Sequence, residues 1–231
     1  MSARAMGLCA AAVLGLATAA SVGYLAVGRK PCLTWGASDE DVRRSMPGDD
    51  LMPQPDLVAT RAIRIAAPAS DVYPWLVQMG SGKGGVYTYD WIENLFGLNM
   101  HSVDEILPQF QDRQVGDVEQ LGKTGPRLRI EVLRPDEAMV MASEDGNWVW
   151  AFGLYAADDG STTLVSRNRI KTPGASPLAR AFSTLVMEPG SLVMERKMLL
   201  GIRQRAERLA RERSPREGAS VTLPAGPAPT P

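Results

Sequence analysis

Residues 147–170 read NWVWAFGLYAADDGSTTLVSRNRI and contain the pattern that decides the fold. Asn147–Leu154 and Thr162–Ile170 are rich in the aromatic and β-branched residues that favour strands. An Asp-Asp-Gly turn at 158–160 lies between them, as expected where two neighbouring antiparallel strands are joined. The stretch therefore predicts a β-hairpin, with Trp148 and Trp150 on one face of its first strand.

Similar patterns extend outward from this hairpin. Three further segments are predicted as strands: Val58–Ile65, Arg127–Leu133 and Ala138–Ser143. Apolar residues at helical spacing predict helices near 67–79, at Tyr89–Leu95, at Pro177–Met187 and from about Ser191 to Arg213, with Pro189-Gly190 interrupting the last two. A short capped helical turn is predicted at Ser38–Ser45. Together these elements predict an α+β domain in which a curved antiparallel sheet wraps around one helix.

The segment Met6–Val27 contains no charged residue. As a helix it would be about 33 Å long, which is enough to cross the hydrocarbon core of a bilayer. Ala17-Thr18-Ala19 has the small-x-small form of a signal-peptide cleavage site, so a cleaved leader is the alternative. Because the apolar run continues past that site to Val27 and a basic pair, the pattern favours an uncleaved transmembrane anchor.

Basic residues on the two flanks of this segment predict its orientation. Arg29, Lys30, Arg43 and Arg44 follow the segment, whereas only Arg4 and the amino terminus precede it. The positive-inside rule then favours the cytoplasmic side for the domain of a single-pass protein of the cell membrane.

The composition divides the chain into four parts. Residues 1–30 are predicted as the anchor, 31–55 as a connector rich in proline, glycine and acidic residues, and 56–213 as the ligand-binding domain. Residues 214–231 are a tail rich in proline, alanine and glycine, which we predict to be disordered because it cannot bury enough apolar area.

Charge and cysteine content restrict the partners. The formal net charge of −1 gives no electrostatic basis for binding nucleic acid. The two cysteines, Cys9 and Cys32, show no metal-type spacing with the single histidine, so we predict no metal and no cofactor. The period-two arginines at 127 and 129 and at 167 and 169 predict solvated faces, and if they were buried they would need carboxylates such as Glu131 or Glu188. The basic run along the last helix also predicts a solvated face.

Several longer motifs resemble a known family. Thr34-Trp35-Gly36-Ala37, residues 73–80 (YPWLVQMG), residues 84–94 (GGVYTYDWIEN) and residues 194–199 (MERKML) resemble actinobacterial members of the SRPBCC superfamily, which is START-like or polyketide-cyclase-like. The resemblance covers about residues 35–207. It implies a helix-grip fold, with an apolar cavity between the sheet and a long C-terminal helix, and a hydrophobic ligand. Some members of the superfamily bind lipids, sterols or polyketides, and some catalyse cyclisation or dehydration.

His101 is the candidate general acid or base, because it is the only histidine. Asp104 and Asp90 are its candidate carboxylate partners. No nucleophile motif accompanies them, and the alternative is a histidine whose ring nitrogens are satisfied structurally. We therefore expect no recognisable catalytic arrangement.

Aromatic residues supply the candidate ligand contacts. In a helix-grip domain, the segment containing Tyr87, Tyr89 and Trp91 would lie near the cavity mouth, and Trp148 and Trp150 would line a cavity wall. Each could equally serve ordinary packing. Three functions follow as hypotheses: membrane-tethered binding or carriage of a small hydrophobic ligand, a polyketide cyclase/dehydrase-like enzyme using His101 or a Tyr/Asp pair, and a non-catalytic interaction module.

Overall fold

The computed structural model of the chain describes Gly15, residues 18–123 and residues 125–213. It is an α+β structure with one six-stranded antiparallel sheet, whose strand order is β1-β6-β5-β4-β3-β2. The strands are β1 (Leu57–Ile65), β2 (Val118–Gln120), β3 (Arg127–Arg134), β4 (Ala138–Ser143), β5 (Trp148–Ala156) and β6 (Thr162–Ile170). The helices are α1 (Arg29–Leu33), α2 (Asp39–Arg43), α3 (Ala69–Val77), α4 (Asp90–Leu95), α5 (Pro177–Phe182) and α6 (Glu188–Arg213).

The predicted hairpin lies inside the sheet, between β1 and β4. β5 and β6 pair antiparallel, with Trp150 opposite Asn168 and Phe152 opposite Ser166. β1 joins the other edge of β6, so the first strand of the domain pairs with the last. The sequence did not predict β2, because three residues at a sheet edge are too short to show a period.

The C-terminal helix runs without a break from α5 to α6 through a π-helical turn at Ser183–Met187. The interruption predicted at Pro189-Gly190 is therefore wrong. The π-helical turn just before Pro189 shifts the backbone hydrogen bonds of the helix, so the missing N–H and the ring of the proline are accommodated without a break. The resulting helix of 37 residues packs across the inner face of the sheet, and the arrangement is a helix grip.

The inner face of the sheet and the C-terminal helix enclose the main core. Phe152, Leu164 and Ile130 from the strands are fully buried against Leu199 and Ile202 of α6. α3 closes one end of this core with Trp75 and Leu76, which are also fully buried. Burying side chains of this size stabilises the fold by about 1.5–3 kcal/mol each.

Residues 34–56, which include most of the segment predicted as a connector, cover part of the outer face of the sheet. Met46 and Met52 are buried there in a second apolar cluster with Val140 and Val165. α2 is stabilised by the predicted cap: Ser38 accepts from the Asp41 amide, and the Asp41 carboxylate accepts from the Ser38 amide. The domain boundaries remain a prediction, but this segment packs closely on the sheet.

Arg167 fastens the same segment to the sheet. Its guanidinium donates to the carboxylate of Asp49 at 2.7 Å and to the backbone carbonyls of Asp41, Val42 and Arg44. The solvated face predicted for Arg167 and Arg169 is therefore wrong, because Arg167 is only 3% exposed and Arg169 donates to Asp49 and to the Met52 carbonyl. A buried guanidinium is stable here because all its N–H groups find acceptors.

The predicted anchor lies partly outside the described residues. Residues 18–23 are helical, Tyr24–Gly28 form a π-helical turn, and α1 continues from them. Residues 6–14, 16 and 17 belong to the part that is not described, as does the C-terminal tail 214–231. Within the described part, no helix combines the length and apolarity needed to cross a membrane.

The π-helical turn Tyr24–Gly28 and α1 are fixed to the C-terminal helix through Glu188. Glu188, which is 4% exposed, accepts from the Tyr24 hydroxyl at 2.9 Å and from two nitrogens of Arg29 at 2.9 Å each. The thiol of Cys32 donates to the Glu188 carbonyl at 3.4 Å. We call this set of contacts the Glu188 clasp.

Candidate functional site

A cavity of about 380 Å³ lies between the sheet and the first half of the C-terminal helix. Its walls are mostly apolar and come from the inner faces of β1, β5 and β6, from the segment before α4, and from α6. The apolar lining residues are Leu57, Ala59, Val86, Trp148, Trp150, Ile170, Met187, Met194 and Met198. A concave apolar site with a few polar groups is the usual form of a small-molecule site.

Trp148 and Trp150 form one wall of this cavity. Their rings stack at 5.4 Å between centroids, and Trp150 also contacts Phe152. The indole N–H of Trp148 donates to Asn168 at 2.8 Å, and that of Trp150 donates to Ser166 at 3.0 Å. Because both indole N–H groups are satisfied by β6 and the rings stack on each other, the parts of the rings that face the cavity present only apolar surface.

An ion pair between Arg61 and Glu195 crosses from β1 to α6 at the cavity. Both residues are buried, with 0% and 7% of their surface exposed. Arg61 donates to the Glu195 carboxylate, to the Cys32 carbonyl at 3.1 Å and to the Ser191 hydroxyl at 3.0 Å. The pair is therefore supported at its cationic end by two further acceptors.

The carboxylate of Glu195 is also held by polar groups on β6. Its Oε1 accepts from Ser166 at 2.6 Å and from Asn168 at 3.2 Å. Burial raises the pKa of Glu195, and the Arg61 guanidinium and these hydrogen bonds oppose that rise. A buried charge pair with every group partnered gives a rigid polar core beside the apolar walls.

Glu93 and Thr88 contribute a second polar group to the cavity lining. Glu93 lies on α4 and is 6% exposed. Its Oε2 atom and the Thr88 hydroxyl are buried, and neither has a hydrogen-bond partner of good geometry among the described residues. Burial raises the pKa of the Glu93 carboxyl.

The three catalytic candidates do not line this cavity. His101 is exposed. Asp104 is exposed and forms an ion pair with Arg205 at 2.7 Å. Asp90 accepts from the amide and hydroxyl of Ser102 at 2.7 and 2.6 Å, so its position is structural. The part of the chain that the structure describes contains no group of three or more metal-ligating side chains.

The predicted ligand-contact residues separate into two groups. Trp148 and Trp150 line the cavity together. Tyr87 is 1% exposed and donates its hydroxyl to the Trp75 carbonyl at 2.9 Å, so it packs in the core, where burial raises its pKa. Tyr89 and Trp91 are not cavity-lining: Lys197 lies over the Tyr89 ring, and Trp91 is 71% exposed.

Sequence reasoning missed the polar members of the site, although two of them carried a signal. Arg61 lies two and four residues before Ile63 and Ile65, so its side chain is on the same, apolar face of β1. Glu195 lies three residues after Leu192 and four before Leu199, which places it on the apolar stripe of α6. Charged residues at apolar positions on two facing elements indicate a buried pair. No comparable pattern marks Glu93 or Thr88.

The comparisons with known proteins concern the fold. No protein-family model matches the chain, and no curated protein matches it. Among solved structures it is similar to a Polyketide_cyc-like protein from Corynebacterium glutamicum, with 19% identity, a TM-score of 0.33, and coverage of 70% of this chain and 93% of the other.

Two further solved structures show similar values. The KanY protein has 14% identity, a TM-score of 0.41 and coverage of 67% of this chain and 99% of the other. A Bacillus halodurans protein has 13% identity, a TM-score of 0.42 and coverage of 66% and 99%.

Proposed function

We propose that the protein binds or carries a small hydrophobic ligand in the cavity between the sheet and the C-terminal helix, and that it does so beside a membrane. The observation that carries the proposal is the cavity of about 380 Å³ with apolar walls and few polar groups. The space opens to solvent, so its apolar walls are exposed to water, which is unfavourable unless a ligand covers them. A ligand bound there would remove this apolar surface from water.

The stacked tryptophans support this proposal. A ligand placed against Trp148 and Trp150 would meet flat apolar surface that the protein keeps oriented through Asn168 and Ser166. Little conformational entropy is then lost on binding, since the wall is already fixed.

A filling substitution tests the cavity. Met194 lines it and is half-buried, so Met194→Trp should occupy the ligand space and abolish retention of hydrophobic molecules by the purified protein, as measured by native mass spectrometry. Val193→Trp is the matched control, because the neighbouring side chain is 54% exposed and does not line the cavity. Equal ligand retention in both variants would contradict the proposal.

Exposed apolar side chains support the membrane part of the proposal. Two elements that border the cavity, α4 and the C-terminal helix, carry large apolar side chains that are more than half exposed. They are Trp91, Leu95, Phe96, Leu178, Phe182, Val186, Met187 and Val193. Exposed apolar and aromatic residues of this kind are typical of surfaces that meet lipid or another protein.

The predicted anchor would then place this surface near lipid. We propose that Met6–Val27 is the single transmembrane segment and that the domain lies on the cytoplasmic side. Cell fractionation with N-terminal sequencing of the mature protein tests this. Recovery in the soluble fraction with an N-terminus at Ala20 would contradict the anchor, whereas the cavity experiment would be unaffected.

A further inference from the structure

Glu93 is the buried acidic group of the cavity that the protein itself leaves without a counter-charge. It forms no ion pair within the described residues, whereas the other buried carboxylate of the lining, Glu195, is paired with Arg61. Its Oε2 atom and the Thr88 hydroxyl have no hydrogen bond of good geometry there, although Thr88 lies close enough to oppose part of the rise in the Glu93 pKa. Buried polar atoms are nearly always partnered, so each exception calls for an explanation.

The remaining polar groups of the lining are already satisfied. Arg61, Glu195 and Asn168 bond to one another or to neighbouring groups. The Ser191 hydroxyl donates to the Glu188 carbonyl at 2.8 Å and accepts from Arg61. Among the described residues that line the cavity, the polar atoms without a hydrogen bond of good geometry are therefore on Thr88 and Glu93.

The charge state of Glu93 restricts what it can bind. Burial raises the pKa of its carboxyl, the Thr88 hydroxyl opposes part of that rise and the nearby Asp90 adds to it, so the protonated acid is favoured more than for an ordinary glutamate. A neutral carboxyl group both donates and accepts a hydrogen bond, and so does a threonine hydroxyl. This combination suits a neutral oxygen, whereas a ligand carboxylate would face the acidic group and a bare hydrocarbon would leave both groups unpaired.

We propose that Glu93 and Thr88 form a polar subsite that binds a neutral oxygen, a hydroxyl or a carbonyl, of an otherwise apolar ligand. The inference rests on the proposed function, since it concerns the ligand of the same cavity. It names the ligand class: apolar alcohols or ketones, in preference to hydrocarbons, fatty-acid anions and amines. The apolar walls hold the body of such a molecule, and the subsite fixes its oxygen.

A matched series of brominated probes tests the subsite, because bromine quenches tryptophan fluorescence on contact and Trp148 and Trp150 lie in the wall. The full chain in lipid nanodiscs is titrated with 10-bromodecan-1-ol, 1-bromodecane, 10-bromodecanoate and 10-bromodecylamine, each corrected for partition into protein-free nanodiscs. We expect the alcohol to bind about 10-fold more tightly than the bromoalkane, the size of effect that one or two neutral hydrogen bonds produce.

Three variants assign that preference to the subsite. Glu93→Leu and Thr88→Val should each reduce the preference for the alcohol to about 3-fold or less, since each removes one hydrogen-bonding group. Glu93→Gln should retain most of it, because an amide also donates and accepts. Thr88→Val preserves shape and serves if Glu93→Leu fails to fold, which thermal melting of each variant will show.

The outcomes separate this inference from the proposed function. If the probes bind but the preference for the alcohol is absent, or unchanged in Glu93→Leu and Thr88→Val, the subsite is refuted and the cavity function stands. Tightest binding of the amine or of the carboxylate would also refute the neutral-oxygen class. Absence of quenching by every probe in the unaltered protein would refute both proposals.

Discussion

Replacing Arg61 with methionine removes the cationic half of the Arg61–Glu195 pair while keeping most of the side-chain length. In the variant, the Glu195 carboxylate stays buried with only Ser166 and Asn168 as donors. The Cys32 carbonyl, which accepts from Arg61 at 3.1 Å, loses that partner as well. The substitution therefore leaves one uncompensated charge and one weakened backbone contact.

The expected loss of stability follows from this burial. Removing one partner of a buried pair costs about 3–5 kcal/mol, and a domain of this size loses about 2–4 °C of Tm per kcal/mol. Arg61→Met should therefore melt about 6–20 °C below the unaltered protein. The Arg61 guanidinium holds down the pKa of Glu195, so its removal raises that pKa further. The penalty should therefore be smallest at acid pH, where the carboxyl is protonated in both proteins, and grow as the pH rises from the pKa of the unaltered protein to that of the variant.

Urea unfolding at fixed pH measures the difference in free energy, and a double variant isolates the pair. Arg61→Met with Glu195→Leu removes both charges and should recover most of the loss. Arg64→Met on the same strand is the matched control: its ion pair with Asp159 is mostly exposed, so about 0–1 kcal/mol is expected. A loss below about 1 kcal/mol in Arg61→Met, or strictly additive effects in the double variant, would refute the reasoning.

Three other changes test separate parts of the structure. Glu93→Gln removes a buried acid with a raised pKa. The protonated acid stabilises the folded state below about pH 4.3, and that contribution is lost as the pH rises through the raised pKa. The variant should therefore be more stable to urea than the unaltered protein at pH 8 and equally stable near pH 4. An equal difference at both pH values would contradict this. Arg167→Met frees the segment held by Asp49, so amide exchange should accelerate across residues 39–52 and stay unchanged in α6; uniform acceleration would mean global destabilisation instead. Glu188→Gln weakens the Glu188 clasp, and trypsin should cut after Arg29 faster than in the unaltered protein, whereas an unchanged rate would show that the clasp does not hold α1.

The sequence predicted the sheet well where local patterns carry the information. β4 and β6 have the predicted bounds, and β5 begins one residue after its predicted start. Alternation of side chains along a strand also explains why Trp148 and Trp150 were placed on one face, and both line the cavity. The continuous C-terminal helix does not follow from the local pattern, because a proline and a glycine usually indicate the end of a helix, whereas here they directly follow a π-helical turn.

Long-range pairing explains the remaining differences. Arg127 and Arg129 have the exposure expected of a period-two pair, yet Arg167 on β6 is buried. Its partner Asp49 is 118 residues away in the chain, so no local pattern could reveal the contact. The same holds for Arg61 and Glu195, which are 134 residues apart. The spacing of a charged residue from its apolar neighbours shows that it faces the core. Only the fold shows which residue of opposite charge is its partner.

The Glu188 clasp also determines how short the chain can be and still fold. A shortened chain beginning at residue 56 would lack Arg29, leaving the buried carboxylate of Glu188 without its counter-charge, and would lack the Cys32 carbonyl that Arg61 requires. It would also lose Met46 and Met52 and expose part of the outer sheet face. We therefore expect the shortest chain that folds by itself to include Tyr24, which lies near the end of the uncharged segment Met6–Val27. A truncation designed to remove that segment should keep the residues from Tyr24 onward.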